Sequence, residues 1–121
     1  MNRYTIFCTR SQTKKALELG APIEIISYGY EKYHNKLLVH GKGWAISPTA
    51  EQMCGWLRKQ GLCVEIISKK YFGDRTKLYN ANLWKIPEVK KLEDVTETND
   101  YKEATLAAID AALKYLTSNK K

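Results

Sequence analysis

The chain carries one pattern of residues twice, at a distance of 40 to 41 positions along the sequence. A repeat of this length is the signature of a duplicated supersecondary unit, and it limits the folds open to the chain more than any single segment does. The matched positions are Ile6 and Ile46, Thr9 and Thr49, Gln12 and Gln52, and the segments 20–27 and 61–68. The sequence therefore predicts two similar units, over residues 4–40 and 44–84, that share one core.

Each unit is predicted to consist of a strand, a helix and a second strand. In the first unit, a β-branched and aromatic run at residues 4–8 is followed by Thr9 and Gln12 at the spacing of a capping box. A helix should begin there and end at Gly20, because glycine readily takes the left-handed conformation that stops a helix. The next strand is predicted at residues 23–28.

The second unit repeats this order. Thr49 and Gln52 form another capping box, and Gly61 should end the helix that follows. A short strand is predicted at residues 44–46, either on its own or as the end of a longer bent strand that begins with residues 36–40 and breaks at residues 41–43. Further strands are predicted at residues 64–68 and 77–84. The last two are expected to pair antiparallel across a polar turn.

The composition changes after the second unit. Residues 87–99 are rich in Glu, Lys and Thr, and we expect a polar surface loop there. Residues 101–117 predict a helix with two apolar sides. One side consists of Leu106, Ile109, Leu113 and Leu116, and the other of Ala104, Ala107, Ala108, Ala111 and Ala112. The small side chains would let this helix approach a sheet or a partner closely.

The predicted fold class is α+β. Two strand-helix-strand units related by pseudo-symmetry favour a ferredoxin-like two-layer sandwich, extended here by one strand and a C-terminal helix. The alternative is an α+β fold in which each unit forms its own hairpin and the last helix fills the groove between them. A length of 121 residues and a mass of 13.9 kDa predict one domain, residues 1–121, with a single core.

The bulk composition is that of an ordinary globular chain, with 44% hydrophobic and 27% charged residues. No apolar run approaches the roughly 20 residues that span a bilayer, and the N-terminus shows no signal-peptide core. We therefore expect a cytoplasmic protein that does not enter a membrane. Cys8, Cys54 and Cys63 have no Cys-x-x-Cys spacing, which predicts reduced thiols rather than disulfides or a zinc site.

The excess of positive over negative charge lies entirely in the repeated part. Residues 1–86 contain 14 Lys and Arg against 6 Asp and Glu, whereas residues 87–121 contain 6 against 7, and the whole chain carries a net charge of +7. A basic surface attracts polyanions, and it also keeps a protein soluble. Both interpretations remain open from charge alone.

Two loops combine aromatic and basic residues, at 28–36 and 69–77. Aromatic rings stack on bases and cations neutralise phosphates, so such loops suit a single-stranded nucleic acid. The candidate contacts are Tyr30, Tyr33, Lys42, Lys69, Lys70, Tyr71, Phe72 and Arg75. The competing interpretation is a pair of solvated hairpins whose tyrosines lean on the sheet edge.

The segment 42–47 partly resembles the octapeptide of RNA-recognition motifs. Its first four positions fit the order basic, Gly, aromatic and Ala, but Ile46 replaces a stacking aromatic and Pro48 cuts the strand short. A glycine-containing bend before a strand explains the same residues more simply.

No residue set in the sequence predicts catalysis, a metal or a cofactor. His34 and His40 have no carboxylate or cysteine at metal spacing, and Cys54 lies beyond the first turn of its helix. Glu24 and Glu65 occupy matching strand positions, where an acid–base pair or two exposed glutamates are both conceivable. The absence of a phosphate loop, a Ser-His-Asp set and a dinucleotide fingerprint disfavours an enzyme.

Residues 4–9, 12–23, 48–53 and 55–57 resemble a group of small uncharacterised proteins encoded among prophage and mobile-element genes of gut anaerobic bacteria. Residues 102–113 are similar to the last helix of that group. The two basic loops and the polar segment before the last helix are not matched. The resemblance implies a phage-related accessory protein, and it brings no activity or site residues with it.

These observations favour a small accessory protein that acts by binding and has no catalytic activity. Its contact surface would be the basic hairpins or the exposed side of the C-terminal helix. The alternative is a single-stranded nucleic-acid binder that uses the two aromatic and basic loops. The partner is thus expected to be a protein or a nucleic acid, and the Ala-rich helix and the additional strand edge both permit a homodimer.

Overall fold

The computed structural model describes residues 5–26, 36–39, 43–70 and 77–119, and these residues form an α+β fold. The described elements, in chain order, are α1 (Arg10–Glu18), β1 (Ile25–Ile26), β2 (Lys36–Val39), β3 (Gly43–Ile46), α2 (Ala50–Lys59), β4 (Leu62–Lys70), β5 (Lys77–Lys85), β6 (Lys90–Thr98) and α3 (Tyr101–Asn119). The predicted fold class and the predicted C-terminal helix are therefore confirmed. None of the described helices combines the length and the apolar character that a bilayer crossing requires.

The described strands form two antiparallel sheets of three strands each, in the orders β1-β3-β2 and β4-β5-β6. β4 and β5 pair without a register shift, from Leu62 opposite Lys85 to Lys70 opposite Lys77. The predicted hairpin of the second unit is thus confirmed. In the other sheet β3, at the start of the second unit, lies between β1 and β2 of the first unit, so β1 and β2 do not pair with each other.

Both repeat helices begin with the predicted capping boxes. The Thr9 hydroxyl accepts a hydrogen bond from the Gln12 N–H at 3.1 Å, and the Gln12 Oε1 accepts one from the Thr9 N–H at 3.0 Å. Thr49 and Gln52 make the same two bonds at 3.1 and 2.9 Å. Each box satisfies two amides that the first helical turn would leave without a partner.

Both helices also end at the predicted glycines. Gly20 has a φ of +92° and Gly61 a φ of +85°, which is the left-handed region that disfavours a Cβ atom. At Gly61 the backbone also approaches a second segment, because the Ile86 N–H donates to the Gly61 carbonyl at 2.9 Å. Gly20 and Gly61 therefore share a left-handed conformation, but only Gly61 is hydrogen-bonded to the segment at Ile86.

We expect Gly61→Ala to lower the free energy of unfolding by about 2 kcal/mol, and Gly20→Ala by about 1 kcal/mol. Both substitutions strain a positive φ, but only at Gly61 would the new Cβ press on a neighbour, the Ile86 carbonyl oxygen at 3.3 Å. At Gly20 it meets no atom within 4 Å. Urea denaturation of both variants measures the difference, and equal losses would contradict the role of the close approach.

The two units touch through the segments that lead into their helices. The Cys8 N–H donates to the Pro48 carbonyl at 2.9 Å, the Ala50 N–H donates to the Ile6 carbonyl at 2.8 Å, and Phe7 forms an antiparallel bridge with Thr49. The strand predicted at residues 4–8 is reduced to this bridge in its described part. Pro48 has no N–H, so it cannot donate the reciprocal hydrogen bond to the Cys8 carbonyl that would extend the ladder.

This bridge has the register that a local two-fold axis would give. Its pairing places Cys8 opposite Pro48, and the 40-residue repeat makes the same two positions equivalent. A two-fold axis between two copies of a unit pairs equivalent residues with each other in this way. The contact is therefore consistent with the predicted doubling of the unit.

The core lies where α2 and α3 pack on one face of the β4-β5-β6 sheet and α1 packs against α3. Its fully buried larger side chains include Leu57 of α2, Leu62 and Leu83 of the sheet, and Ile109 and Leu113 of α3. A second cluster joins Ala104 and Ala108 of α3 to Ala81 of β5. The alanines allow the close helix–sheet approach that the sequence predicted, and α3 packs against both other helices and all three strands of this sheet.

The prediction of a loop over residues 87–99 is wrong for Lys90–Thr98, which form β6. Leu92 and Val95 alone among its side chains pack on the core, and they sit beside two register shifts, between Ala81 and Asn82 and between Leu83 and Trp84 of β5. The strand lies at the sheet edge and is mostly solvated. Its composition is therefore that of a loop, and its bulges break the alternation that identifies a strand.

The predicted ferredoxin-like sandwich is not confirmed. That arrangement requires strands of both units to interleave in one sheet, whereas the described strands form two sheets. Sequence spacing gave the elements of both units, but it could not place β3 between β1 and β2.

Candidate functional site

One face of the β4-β5-β6 sheet has no described helix packed on it. Side chains alternate between the faces of a strand, so the residues between those that contact α3 point the other way. We call this surface the open face, and it is formed by Cys63, Glu65 and Ile67 of β4, Asn80, Asn82 and Trp84 of β5, and Lys91, Asp94 and Glu97 of β6. It is the surface that should carry cations and aromatic rings if the sheet bound nucleic acid.

A hydrogen-bonded cluster occupies the centre of the open face. The Asn82 Nδ2 and the Trp84 Nε1 both donate to the Glu65 Oε1, at 3.2 and 3.1 Å. Lys91 Nζ lies 5.7 Å from the centroid of the Trp84 ring and 2.6 Å from the Asp94 Oδ1. The aromatic ring and the cation on this face are thus held by neighbouring side chains.

The charge of the open face does not suit a polyanion. Three of the nine residues are carboxylates, Glu65, Asp94 and Glu97, and one, Lys91, is a cation, while alternation along β4 adds the position of Lys69 to the same side of the sheet. Phosphate binding depends on an excess of cations. The described part of this face therefore gives no support to nucleic-acid binding, although the whole chain is basic.

A groove runs beside α2, with a cavity volume of about 760 Å³. We call it the α2 groove. Its apolar wall consists of Ala21, Pro22, Ile23, Ile46, Pro48, Met53 and Trp56, and its polar residues are Glu24, Ser47, Gln52, Arg58 and Lys59. It lies between the helix of the second unit and the segment that follows the helix of the first, so both units contribute to it.

Gly55 shapes the α2 groove from the helix side. It lies inside α2 and lines the groove, and a Cβ added there would meet only the Arg58 Nη2, at an ordinary contact distance of 3.7 Å. A glycine inside a helix costs about 0.5–1 kcal/mol relative to alanine. The helix therefore gives up stability at the position where a longer side chain would reach into the groove.

A smaller cleft of about 620 Å³ runs beside β4 on the helix side of the sheet. Thr5 and Ile6 form one wall, and Val64 and Ile66 of β4 form another. Tyr101 and Thr105 of α3 also line it. The cleft separates the leading segment of the first unit from the sheet of the second.

The structure does not test the prediction that the two aromatic and basic loops bind nucleic acid. Tyr30, Tyr33, Lys42, Tyr71, Phe72 and Arg75 lie outside the described residues, and only the backbone of Lys69 and Lys70 is described, at the end of β4. The two histidines, His34 and His40, also lie outside the described residues. Their predicted roles remain predictions.

Glu24 and Glu65 do not form a site together. Glu24 is exposed at the α2 groove, whereas Glu65 is half-buried on the open face and takes part in the cluster with Trp84. Glu24 precedes β1, whereas the matching residue of the repeat, Glu65, lies inside β4. The structure thus favours separate roles over an acid–base pair.

The cysteines have the environment of packing residues. Burial raises the pKa of the Cys8 thiol to about 12, with smaller contributions from Cys54 and Asp110, and burial also raises the pKa of Cys54. Both thiols are therefore protonated at neutral pH and are poor nucleophiles. Cys8, Cys54 and Cys63 are all free, and in the part of the chain that the structure describes no group of three or more His, Cys, Asp and Glu could hold a metal ion.

Sequence reasoning missed both surfaces that the structure assembles. Alternation over residues 63–67 and 80–84 could have placed Glu65, Asn82 and Trp84 on one face, because the two strands were correctly paired. No local signal marks the α2 groove, whose walls come from segments more than 20 residues apart. The chain matched no protein-family model, no curated protein and no solved structure.

Proposed function

We propose that this chain is a small accessory protein that acts by binding a protein partner, without catalysis, and that the α2 groove is its binding site. The resemblance to small prophage and mobile-element proteins suggests the setting in which such a protein would work. The single observation that carries the proposal is a groove with a mainly apolar wall that both units build.

The size and lining of the groove suit a binding role. Its 760 Å³ falls within the range of about 300–1,000 Å³ that ligand-binding clefts occupy. Trp56 is half-buried on its wall, and Met53 supplies a flexible apolar side chain below it. Tryptophan and methionine are both enriched where proteins bind one another.

The charged residues of the groove indicate the chemistry of the partner. Arg58 and Lys59 are exposed on α2, and Glu24 is the one acidic residue among the described residues that line the groove. The net charge of +7 adds a long-range attraction for acidic molecules. The partner segment is therefore expected to combine an apolar anchor with carboxylates that meet Arg58 and Lys59.

Gly55 provides a matched pair of variants. Gly55→Leu places a side chain in the groove and should weaken partner binding at least tenfold, whereas Gly55→Ala should leave binding unchanged and raise the free energy of unfolding by about 0.5–1 kcal/mol. Partners captured from cells of the source organism by the wild type and both variants are compared by quantitative mass spectrometry. Titration calorimetry with the purified partner then gives the affinities.

A partner that binds Gly55→Leu as tightly as the wild type would contradict the groove as the site. Arg58→Glu is a second test of the groove. It should weaken the binding of an acidic partner and make that binding less dependent on salt. Lys114→Glu, at an exposed position of α3, makes the same charge change elsewhere and serves as the control.

The net charge of +7 keeps single-stranded nucleic-acid binding as the second candidate function. In that case the two aromatic and basic loops would make the contacts, and affinity for an oligonucleotide should fall steeply with salt. Tyr71→Ala and Phe72→Ala should then weaken binding at fixed salt through lost stacking. No binding of a 20-nucleotide strand at 20 mM salt would eliminate this candidate.

We also propose that the two units are copies of one ancestral strand-helix-strand unit of the kind that forms ferredoxin-like sandwiches. The two capping boxes, the left-handed Gly20 and Gly61, and the register of the bridge between Phe7 and Thr49 support this origin. An experimental structure in which α1 and α2 superimpose together with the strands that follow them would support it. Dissimilar paths after the two glycines would contradict it.

A further inference from the structure

β4 is a long edge strand. Within the described part of the chain β5 is its one ladder partner, and the pairing covers all nine residues, Leu62 to Lys70, without a register shift. A regular edge strand directs every second pair of N–H and C=O groups away from the sheet, where they are free to pair with another strand. β4 therefore has the backbone geometry of a docking strand.

The other described edges are protected from such pairing. β6 has two register shifts against β5 and five charged residues, and β1 and β2 have only two and four residues. Bulges, charges and shortness are the features by which natural sheets prevent edge-to-edge pairing. β4 is long, has no register shift against β5, and carries one charged residue, Glu65, among its first seven residues. Ile67, next to the middle of the strand, is 39% exposed.

We propose that β4 pairs antiparallel with β4 of a second copy of this chain, so that two three-stranded sheets join into one of six strands. This goes beyond the proposed function, because the dimer forms through the sheet edge and leaves the α2 groove to the partner. A two-fold axis perpendicular to the sheet would relate the copies and keep both open faces on the same side.

Charge selects the register. Residues that face each other across an antiparallel pair lie on the same side of the sheet, so residue 65 of one copy can face only an odd-numbered residue of the other. Centring the pair on Ile67 sets Glu65 opposite Lys69 of the second copy, twice by symmetry. Shifting the centre to Ile66 or Glu65 sets Glu65 opposite an isoleucine or another glutamate, which removes this attraction.

The first test measures the oligomeric state of the purified chain by sedimentation velocity from 1 to 300 μM. The wild type should show a reversible dimer, and Ile67→Glu should be monomeric, because it brings two carboxylates together on the axis. Ile25→Glu is the matched control, since Ile25 has the same 39% exposure but lies in the other sheet. A wild type that stays monomeric throughout, or equal effects of the two substitutions, would overturn the proposal.

The second test reads the register directly. Ile67→Cys should form a disulfide between two copies under mild oxidation, identified by mass spectrometry as a peptide joined to itself, because residues opposite each other in a ladder meet the distance that a disulfide needs. Glu65→Lys should weaken the dimer, and the double variant Glu65→Lys with Lys69→Glu should restore it. Loss of the dimer in both, or cross-linking of Ile25→Cys at the same rate, would overturn the proposed pairing.

Discussion

Gln12→Leu is expected to lower the free energy of unfolding by about 3 kcal/mol, although it removes no volume from the core. The Gln12 side chain is fully buried and makes three hydrogen bonds. Its Oε1 accepts from the Thr9 N–H at 3.0 Å, and its Nε2 donates to the Leu106 carbonyl at 2.8 Å and to the Asp110 Oδ1 at 2.9 Å. Leucine removes all three hydrogen bonds at a position that is itself fully buried.

The repeat supplies the control for this prediction. Gln52 holds the equivalent place in the capping box of α2 and makes the same bond to its N-cap residue, but its side chain is exposed. Gln52→Leu should therefore cost less than about 1 kcal/mol, because water replaces the lost partner. Urea denaturation of both variants gives the two values. Equal losses would show that the contact with α3 adds nothing to the capping box.

Leu113→Ala is expected to destabilise the protein by about 3 kcal/mol. Leu113 is fully buried in the main cluster, which holds residues of all three helices and of the sheet. Truncation removes three carbon atoms from that cluster, and the cavity can collapse little because α3 is held on several sides. The loss should appear as a lower urea midpoint with an unchanged slope of free energy against urea.

Leu116→Ala is the matched control for this second prediction. Leu116 lies one turn further along α3 and is only partly buried against the same cluster. Its truncation should cost about 1 kcal/mol, because water already reaches part of the side chain. A loss at Leu116 as large as that at Leu113 would place the centre of the core nearer the end of the helix.

The parts of the fold that could be predicted from the sequence are those that local chemistry decides. Thr9 with Gln12 and Thr49 with Gln52 marked both helix starts, since a capping box is complete within four residues. Gly20 and Gly61 marked the ends for the same reason. These predictions needed no knowledge of what the helices pack against.

The parts that failed depend on contacts between distant segments. The position of β3 between β1 and β2 is decided by pairing across the chain, which a repeat does not specify. β6 was missed because an edge strand with bulges has the composition of a loop. The candidate site also depends on contacts between distant segments, because the α2 groove forms only when residues 21–24 lie beside α2. Nothing in the sequence around Gly55 indicates that this residue lines a groove.

The place of α3 in the chain determines when the protein can finish folding. Leu57, Leu62 and Leu83 share one cluster with Ile109 and Leu113, yet every residue of α3 is synthesised after both units. During translation the apolar side of the β4-β5-β6 sheet that α3 covers must therefore remain exposed to solvent until α3 has been synthesised. Nascent chains are prone to aggregate at this stage. A ribosome that stalls before residue 101 would leave an aggregation-prone intermediate. The rate at which α3 is synthesised should therefore affect how much of the protein reaches its native state.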